Sequence, residues 1–315
     1  MQIVFMGTPE QAAQILEELI LAGHQILCVV TQPDRPRGRG QKIEFSPVKE
    51  VALKHTLPIE QPEKVKGNEV FVSLIKSLQP DILVVVAYGQ ILPKKMLEIP
   101  KYGAVNVHAS LLPRYRGAAP IQWALLSGEK ETGITLMKID ELLDTGDIIF
   151  QEKVMIEAED NAVTLSKKLF LEGSKLLIRA LAEIEKGSAK YQKQNEKEAT
   201  YAPSLTKESG EIDWKKPAAE IHNRVRALVP WPGAHTYFKG KLLKIWRSEV
   251  SIADLITGKK AAGEIVQIVK NLGFIVSTGS GDLLVLEVQP EGRQKMGAYD
   301  FCIGHGVQAG EVFPS

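Results

Sequence analysis

The apolar residues in the first 180 positions follow two alternating patterns. Nearly continuous apolar runs, such as IVFMG (Ile3 to Gly7) and DILVVVAYG (Asp81 to Gly89), predict strands that are buried on both faces. Between such runs, apolar residues recur at helical spacing from Pro9 to about Ala22 and again around Val70 to Ser77. Strands that alternate with helices over this length predict an open, doubly wound, Rossmann-like α/β sheet.

The same alternation continues toward the middle of the chain. It predicts further strands at His24 to Gln32, Gly103 to Ser110 and Thr132 to Ile139, and helices at Ala118 to Gly128 and Val163 to Glu185. Residues 189–207 are charged and poor in large apolar side chains, so they are predicted to form a linker.

The pattern changes after this segment. A short helix near Ala218 to Leu228 precedes five or so short alternating strands that are separated by glycine turns. This pattern predicts a small β-barrel of the OB kind. The predicted organisation is therefore an α/β domain at 1–188, a linker at 189–207 and an OB-like domain at 208–315.

Composition narrows the class of protein. A chain of 315 residues favours two domains. The net charge of +1 excludes attachment to nucleic acid by bulk charge alone, although it leaves room for a local basic patch.

Cys28 and Cys302 lie far apart and in no metal-binding spacing, which favours a reducing cytoplasm and no metal. The N-terminus lacks the features of a secretory signal, and no apolar run approaches the ~20 residues that span a bilayer.

The strand GAVNVHAS carries the first candidate for chemistry. Strand alternation places Asn106, His108 and Ser110 on one face, near the carboxyl end where doubly wound sheets bind ligands. Taken singly, each residue has a structural alternative: Asn106 capping a turn, and His108 as a half-buried, hydrogen-bonded histidine. Together at a strand end, they indicate a site.

The segment LLDTGDI carries Asp144 and Asp147 just after a predicted strand. A carboxylate there could orient His108 or raise its pKa, while an Asp/Gly turn between two strands is an equally good interpretation. For a reaction at a carbonyl, the Asn106 amide would stabilise an oxyanion, His108 would take a proton and Asp144 would hold the imidazole. Because no serine or cysteine is placed as a nucleophile, direct transfer between two substrates is favoured.

A basic segment, Thr31 to Lys49, follows the second strand. It contains five basic residues (Arg35, Arg37, Arg39, Lys42, Lys49) and two acidic ones (Asp34, Glu44), so its local charge is 5 − 2 = +3. Its prolines and glycines predict an exposed, mobile loop without a helix, at the sheet edge where the site is expected. Such a loop suits phosphate binding, although a solvated surface loop is the commoner outcome for a run of charge.

Two other classes of protein fit less well. A nicotinamide-dependent dehydrogenase needs a glycine-rich turn after the first strand, and FMGTPE has only one glycine. A non-catalytic RNA-binding protein would account for the barrel and the basic loop, but not for a clustered amide, imidazole and carboxylate.

The motifs together resemble the methionyl-tRNA formyltransferase family. The resemblance rests on NVHASLLPRYRGAAPIQWALLSGE, LDTGDI, FMGTPE and TQPDRPRGRG, and it extends to IDWKKPAAEIHNRVRALVPWPGA and FCIGHGVQAGEVF near the end of the chain. It therefore covers nearly the whole sequence.

This resemblance implies an activity and its residues. It implies transfer of a formyl group from 10-formyltetrahydrofolate to the α-amino group of methionyl initiator tRNA, by a cytoplasmic, monomeric enzyme that uses no metal. It implies catalytic roles for Asn106, His108 and Asp144, folate contacts by Ser110, Leu111, Leu112 and Pro113, and tRNA contacts by Arg35, Arg37, Arg39 and Lys42. The barrel is expected to hold the tRNA backbone. A folate-dependent enzyme acting on a different amine, of a nucleotide or an amino sugar, is the alternative.

Overall fold

The computed structural model describes residues 1–37, 42–251 and 260–314. The chain divides into two compact units. The first comprises Met1–Pro120, Glu131–Met155 and Ser166–Ala202, and the second comprises Ile121–Lys130, Ile156–Leu165 and Pro203–Ser315.

The first part of the chain alternates strands with helices, as its hydrophobic pattern predicts. Its strands are β1 (Gln2–Gly7), β2 (Gln25–Val30), β3 (Arg35–Arg37), β4 (Lys42–Glu44), β5 (Ile59–Glu60), β6 (Ile82–Val86), β7 (Ala104–His108), β8 (Glu131–Lys138) and β9 (Ile148–Met155). Its helices are α1 (Glu10–Leu21), α2 (Pro47–Lys54), α3 (Glu69–Leu78), α4 (Lys94–Leu97), α5 (Pro120–Leu126) and α6 (Ala162–Glu185).

Seven of these strands form one sheet in the order β5-β2-β1-β6-β7-β8-β9. The first five strands in this order, β5, β2, β1, β6 and β7, run parallel. Every residue of β6 is buried, as expected for a central strand with both faces covered. The doubly wound fold is confirmed. The sheet is not purely parallel, however, because β8 runs antiparallel to β7 and β9 antiparallel to β8.

The basic segment after β2 is not a loop throughout. Strands β3 and β4 pair antiparallel, and α2 begins at Pro47, so Lys49 lies in a helix rather than in a loop. The hydroxyl of Ser46 caps this helix by accepting a hydrogen bond from the Lys49 backbone N–H at 3.1 Å. Proline is well tolerated in the first helical turn, so the expectation that proline would prevent a helix here was wrong.

The second unit contains an antiparallel β domain, which confirms the fold class predicted for the C-terminal region. Its strands are β10 (Ala234–Phe238), β11 (Lys241–Val250), β12 (Ile265–Val269), β13 (Gly273–Ser277), β14 (Asp282–Pro290) and β15 (Met296–Gly297), and its helices are α7 (Ala218–Ala227) and α8 (Ala298–His305). The strand order is β10-β11-β14-β13-β12, with β15 paired to β14. Trp214, fully buried, stacks on Phe313 with ring centroids 5.3 Å apart, in an otherwise aliphatic and aromatic core.

The segment predicted as a linker makes specific contacts with the first unit. Gln192 pairs with Ile148 at the start of β9 through two backbone hydrogen bonds of 2.8 and 2.9 Å. Ala202 is fully buried and its backbone N–H donates to the Arg116 carbonyl oxygen at 2.7 Å. The domain boundaries drawn from the sequence stay a prediction.

No helix within the described ranges combines the length and the apolar character needed to cross a membrane.

Candidate active site

Strand β7 presents Asn106 and His108 on one face of the sheet. Asn106 lies opposite Met137 of β8, and His108 lies opposite Thr135, so alternation along both strands puts all four side chains on the same side. His108 is buried, whereas Asn106 is only half-buried. The side-chain amide of Asn106 has no hydrogen-bond partner among the described residues. The structure thus gives no support for Asn106 as a turn cap.

The imidazole of His108 is held at both nitrogens. Nε2 lies 3.0 Å from the carbonyl oxygen of Tyr115, and Nδ1 lies 3.7 Å from Oδ2 of Asp144. Because a carbonyl oxygen only accepts, Nε2 carries a hydrogen in this contact, and Nδ1 faces the carboxylate. A separation of 3.7 Å is longer than a hydrogen bond, so the carboxylate faces Nδ1 without bonding to it directly. The residues predicted from sequence as an imidazole and its carboxylate partner are therefore adjacent.

Asp144 reaches His108 by a path that a parallel sheet would not provide. Because β8 is antiparallel, it ends beside the start of β7, where the Ile139 N–H donates to the Ala104 carbonyl oxygen. The turn that follows brings the Asp144 carboxylate back to His108. The N–H of Gly117 donates to Asp144 Oδ2 at 2.8 Å, which joins this turn to the one after β7.

The backbone of this turn is tightly constrained. Asp144 has a φ of 54°, in the left-handed region that aspartate tolerates better than most residues. A Cβ at Gly146 would clash with the carbonyl oxygen of Lys138, so only glycine fits there. The Thr145 hydroxyl donates to the Asp140 carboxylate at 2.7 Å, which closes the turn on itself.

The Ser110-Leu111-Leu112-Pro113 turn is fixed by hydrogen bonds with β8 and β9. Thr135 donates its hydroxyl to the Ser110 carbonyl oxygen at 2.6 Å and accepts from the Leu112 N–H at 3.1 Å. The Gln151 amide donates to the Leu112 carbonyl oxygen at 2.8 Å. The Ser110 hydroxyl donates to the Arg114 carbonyl oxygen at 2.6 Å. Ser110 and Leu112 are buried, so Leu111 and Pro113 are the half-buried members of this turn that can offer surface to a ligand.

A cleft of about 530 Å³ lies beside the Asp144 turn. It is lined by α4, by the start of β7 and by the turn itself, with Leu97, Ala104, Ile139 and Leu142 among its apolar residues. This volume is within the range, roughly 300 to 1,000 Å³, that small-molecule sites occupy.

The four predicted tRNA contacts are only partly visible. Arg35 is exposed and lies 3.9 Å from the carboxylate of Glu63, a weak surface contact. Arg37 and Lys42 lie on β3 and β4, and the structure describes their backbone only. Arg39 lies outside the described residues.

No group of three histidine, cysteine, aspartate or glutamate side chains in the described part of the chain is placed to hold a metal ion. The expectation that the protein uses no metal stays a prediction.

Comparison with known proteins decides the family. A family model described as "Formyl transferase" matches residues 1–181, and one described as "Formyl transferase, C-terminal domain" matches residues 204–306. The methionyl-tRNA formyltransferase of Caldanaerobacter subterraneus subsp. tengcongensis is 49% identical over 312 residues, which is 99% of each chain. That of Caldicellulosiruptor saccharolyticus is 50% identical over 313 residues, again 99% of each chain.

The chain belongs to the methionyl-tRNA formyltransferase family.

It is a formyl-transferring enzyme, as the sequence motifs implied. Solved structures with the same fold are more distant. The N-formyltransferase from Helicobacter canadensis, in complex with folinic acid and dTDP-3-aminofucose, has a TM-score of 0.66 at 21% identity, over 91% of this chain and 98% of that one. HypX from Aquifex aeolicus, in complex with tetrahydrofolic acid, has a TM-score of 0.66 at 16% identity, over 95% of this chain and 46% of that one.

Several residues that build the site were not foreseen. Thr135 and Gln151 hold the turn after β7, Gly117 binds the Asp144 carboxylate, and Gln194 binds the Asp144 turn. Alternation along β8 puts Thr135 and Met137 on one face, but only the register with β7 shows that this is the face of His108. Nothing in the pattern of residues 189–207 distinguishes Gln194 from the polar residues around it.

Proposed function

We propose that this enzyme transfers the formyl group of 10-formyltetrahydrofolate to the α-amino group of methionine carried by initiator tRNA. Its relatives of about 45 to 50% identity over nearly the whole chain bear the name of that reaction. Two distant solved structures with this fold are complexes with folate compounds, tetrahydrofolic acid in one and folinic acid in the other.

One observation carries the chemistry: the Asn106 amide is left without a partner beside an imidazole and carboxylate that are held in place. A polar side chain at the edge of a buried strand is normally hydrogen-bonded, so an amide without a protein partner is available to a substrate. Acyl transfer passes through a tetrahedral intermediate with a negatively charged oxygen, which the N–H of Asn106 would stabilise. Such a donor lowers the activation barrier by about 3 to 4 kcal/mol in comparable sites.

The proposed reaction is a direct displacement. The neutral amine of the methionyl group attacks the formyl carbon, and the carbonyl oxygen becomes an oxyanion next to Asn106. His108, oriented by the Tyr115 carbonyl and by Asp144, takes the proton that the amine loses and relays it to the departing nitrogen. The new carbon–nitrogen bond forms to methionine, and the bond to N10 of the folate breaks. Tetrahydrofolate leaves with the proton.

We place the formyl donor along the Asp144 turn. The cleft there, beside the start of β7 and the end of β8, offers apolar side chains to a flat ring system. Leu111 and Pro113 follow the other end of β7 and keep partly exposed surface for a second contact with the donor. Ser110 and Leu112 act mainly by shaping this turn, since their polar groups already have partners in the protein.

We assign the tRNA to two other regions of the chain. The basic segment with Arg35, Arg37, Arg39 and Lys42 would meet phosphates of the acceptor end, and the antiparallel β domain would hold the backbone. The enzyme would work as a monomer in the cytoplasm, where charged tRNA and folates occur together.

The test is formylation of charged tRNA. The protein is incubated with 10-formyltetrahydrofolate and methionyl initiator tRNA. The methionine is then released from the tRNA, and its mass is measured by mass spectrometry. We expect the mass to rise by one formyl group, and no product from uncharged tRNA. Unmodified methionine, together with formylation of an amino sugar or an amino nucleotide offered in parallel, would overturn the proposal in favour of a different acceptor.

A further inference from the structure

A single side chain, Gln194, joins the turn that carries Asp144 to the turn that follows His108. Its amide nitrogen donates to the carbonyl oxygens of Asp144 and Gly146 at 2.9 and 2.8 Å. Its amide oxygen accepts from Nε and Nη2 of Arg116 at 3.1 and 2.7 Å. Both donors and the acceptor of this amide are therefore used, and all its partners belong to the turns around Asp144 and His108.

Arg116 is itself fixed from several sides. Its side chain is 1% exposed. Its Nη1 and Nη2 donate to the two carboxylate oxygens of Glu196 at 2.9 and 2.7 Å, on a different edge of the guanidinium from the one that binds Gln194. Its backbone N–H donates to the Thr200 carbonyl oxygen at 2.8 Å. Because the hydrogen bonds of a planar guanidinium have fixed directions, Arg116 held in this way also fixes the position of the Gln194 amide.

The consequence falls on Asp144. Its carboxylate meets His108 and the Gly117 N–H, while its carbonyl oxygen meets Gln194. A left-handed residue in a turn costs free energy and is kept only when its surroundings fix it. Gln194 is the described side chain that bonds both the Asp144 carbonyl and a residue of the turn after β7.

We propose that Gln194 is a positioning residue, which holds the main chain of Asp144 where its carboxylate reaches His108. Gln194 acts through this turn and not on the substrate. The inference rests on the proposed formyl transfer only in that this reaction is what the experiment measures.

The first test replaces Gln194 and a matched neighbour. Gln192 belongs to the same segment, and its side chain has no hydrogen-bond partner in the described structure, although its backbone pairs with Ile148. We expect Gln194→Ala to lower kcat about 10- to 100-fold, the size of effect that a small displacement of a catalytic group produces, with KM for both substrates within about 2-fold of wild type. Gln192→Ala should match wild type. A Gln194→Ala enzyme with wild-type kcat would overturn the inference.

A second variant separates the two ends of the amide. Gln194→Glu keeps an oxygen acceptor for Arg116 but removes both donors to the Asp144 and Gly146 carbonyls. We expect its kcat to fall at least as far as that of Gln194→Ala, because a carboxylate oxygen would then face the two carbonyl oxygens in place of the amide donors. Full activity in this variant would show that the donors are unnecessary and would overturn the inference.

A double-mutant cycle distinguishes positioning from general damage to the fold. If Gln194 acts through Asp144, then Gln194→Ala should reduce kcat much less in an Asp144→Asn enzyme than in wild type. The same fold-loss in both backgrounds would overturn the inference. Wild-type protein is assayed alongside: no formylation by wild type would defeat the proposed function, whereas active wild type with unaffected Gln194 variants would defeat only the role of Gln194.

Discussion

Two segments of the first unit combine proline, glycine and basic side chains, yet they place their cations differently. In the turn after β7, Arg116 is buried and paired along both edges, by Gln194 and by Glu196. In the segment after β2, Arg35 is exposed, and its guanidinium lies 3.9 Å from the carboxylate of Glu63. The first arrangement serves geometry inside the enzyme, and the second leaves charge available to a partner.

The contrast holds within the basic segment as well. Lys49 at its end is not available to a polyanion, because its ammonium pairs with Asp34 and donates to the Gln61 amide oxygen at 2.9 Å. The Gln61 amide in turn donates to the other Asp34 oxygen at 2.9 Å. The local charge of +3 therefore overstates what the segment can offer to RNA. Counting basic residues does not separate structural cations from binding ones.

The largest expected effects are on turnover, in variants of Asn106 and His108. Asn106→Ala removes the proposed oxyanion donor, and His108→Ala removes the proposed base, so each should lower kcat by about 10²- to 10³-fold. The loss should be equal for charged tRNA and for a small amine acceptor such as a methionine ester, since both need the same chemistry. Steady-state kinetics with the two acceptors measures it. Normal turnover in either variant would contradict these assignments, and unchanged tRNA affinity is the control for folding.

A smaller and selective effect is expected in the basic segment. Arg39→Ala should lower kcat/KM for charged tRNA about 10-fold and leave the small amine acceptor unaffected, because a phosphate contact matters only to the RNA. The affinity of the variant for tRNA should also depend less on salt concentration, with the slope of log affinity against log salt concentration reduced in magnitude by about one. An equal loss with both acceptors would mean that Arg39 does not act as a tRNA contact.

The base of that segment should contribute to stability rather than to binding. Lys49→Met leaves the half-buried Asp34 carboxylate without its cation, and we expect the free energy of unfolding to fall by about 1 to 2 kcal/mol in urea titrations. Lys54→Met in the same helix is the matched control. Lys54 pairs with Glu17 at the surface, 2.8 Å away, and such pairs contribute about 0 to 1 kcal/mol. Equal losses in the two variants would contradict a special role for Lys49.

The smallest expected effect is a dependence of that stability on pH. Hydrogen bonds from Lys49 and Gln61 lower the pKa of Asp34 below its ordinary value. A carboxyl with a lowered pKa in the folded state stabilises the protein above its unfolded pKa, about 3.9, and loses that contribution as pH falls through the lower folded value. The stability difference between wild type and Asp34→Asn should therefore be constant near neutral pH and shrink below about pH 4. A difference that persists unchanged at pH 3 would contradict this account.

Much of the fold was predictable because burial leaves a periodic record in the sequence. The predicted strand DILVVVAYG contains β6, and the predicted helix from Val163 to Glu185 corresponds to α6. The elements that escaped prediction are short or polar. Helix α2 begins with a proline and has only eight residues, and β9 is exposed at several positions, so neither shows a clear apolar pattern. The direction of β8 could not be predicted, since a buried strand has the same composition whichever way it runs.

For the site, the sequence by itself determined that Asn106 and His108 share a face, because side chains alternate along any strand. It also presented Asp144 as a candidate carboxylate. Only the tertiary structure decided that Asp144 returns to His108, through the antiparallel β8 and the bond from Gly117. It also decided that Gln194 and Arg116 hold the two turns together. Hydrogen bonds between residues 27 to 80 positions apart depend on the folded path of the chain, and no local pattern records them.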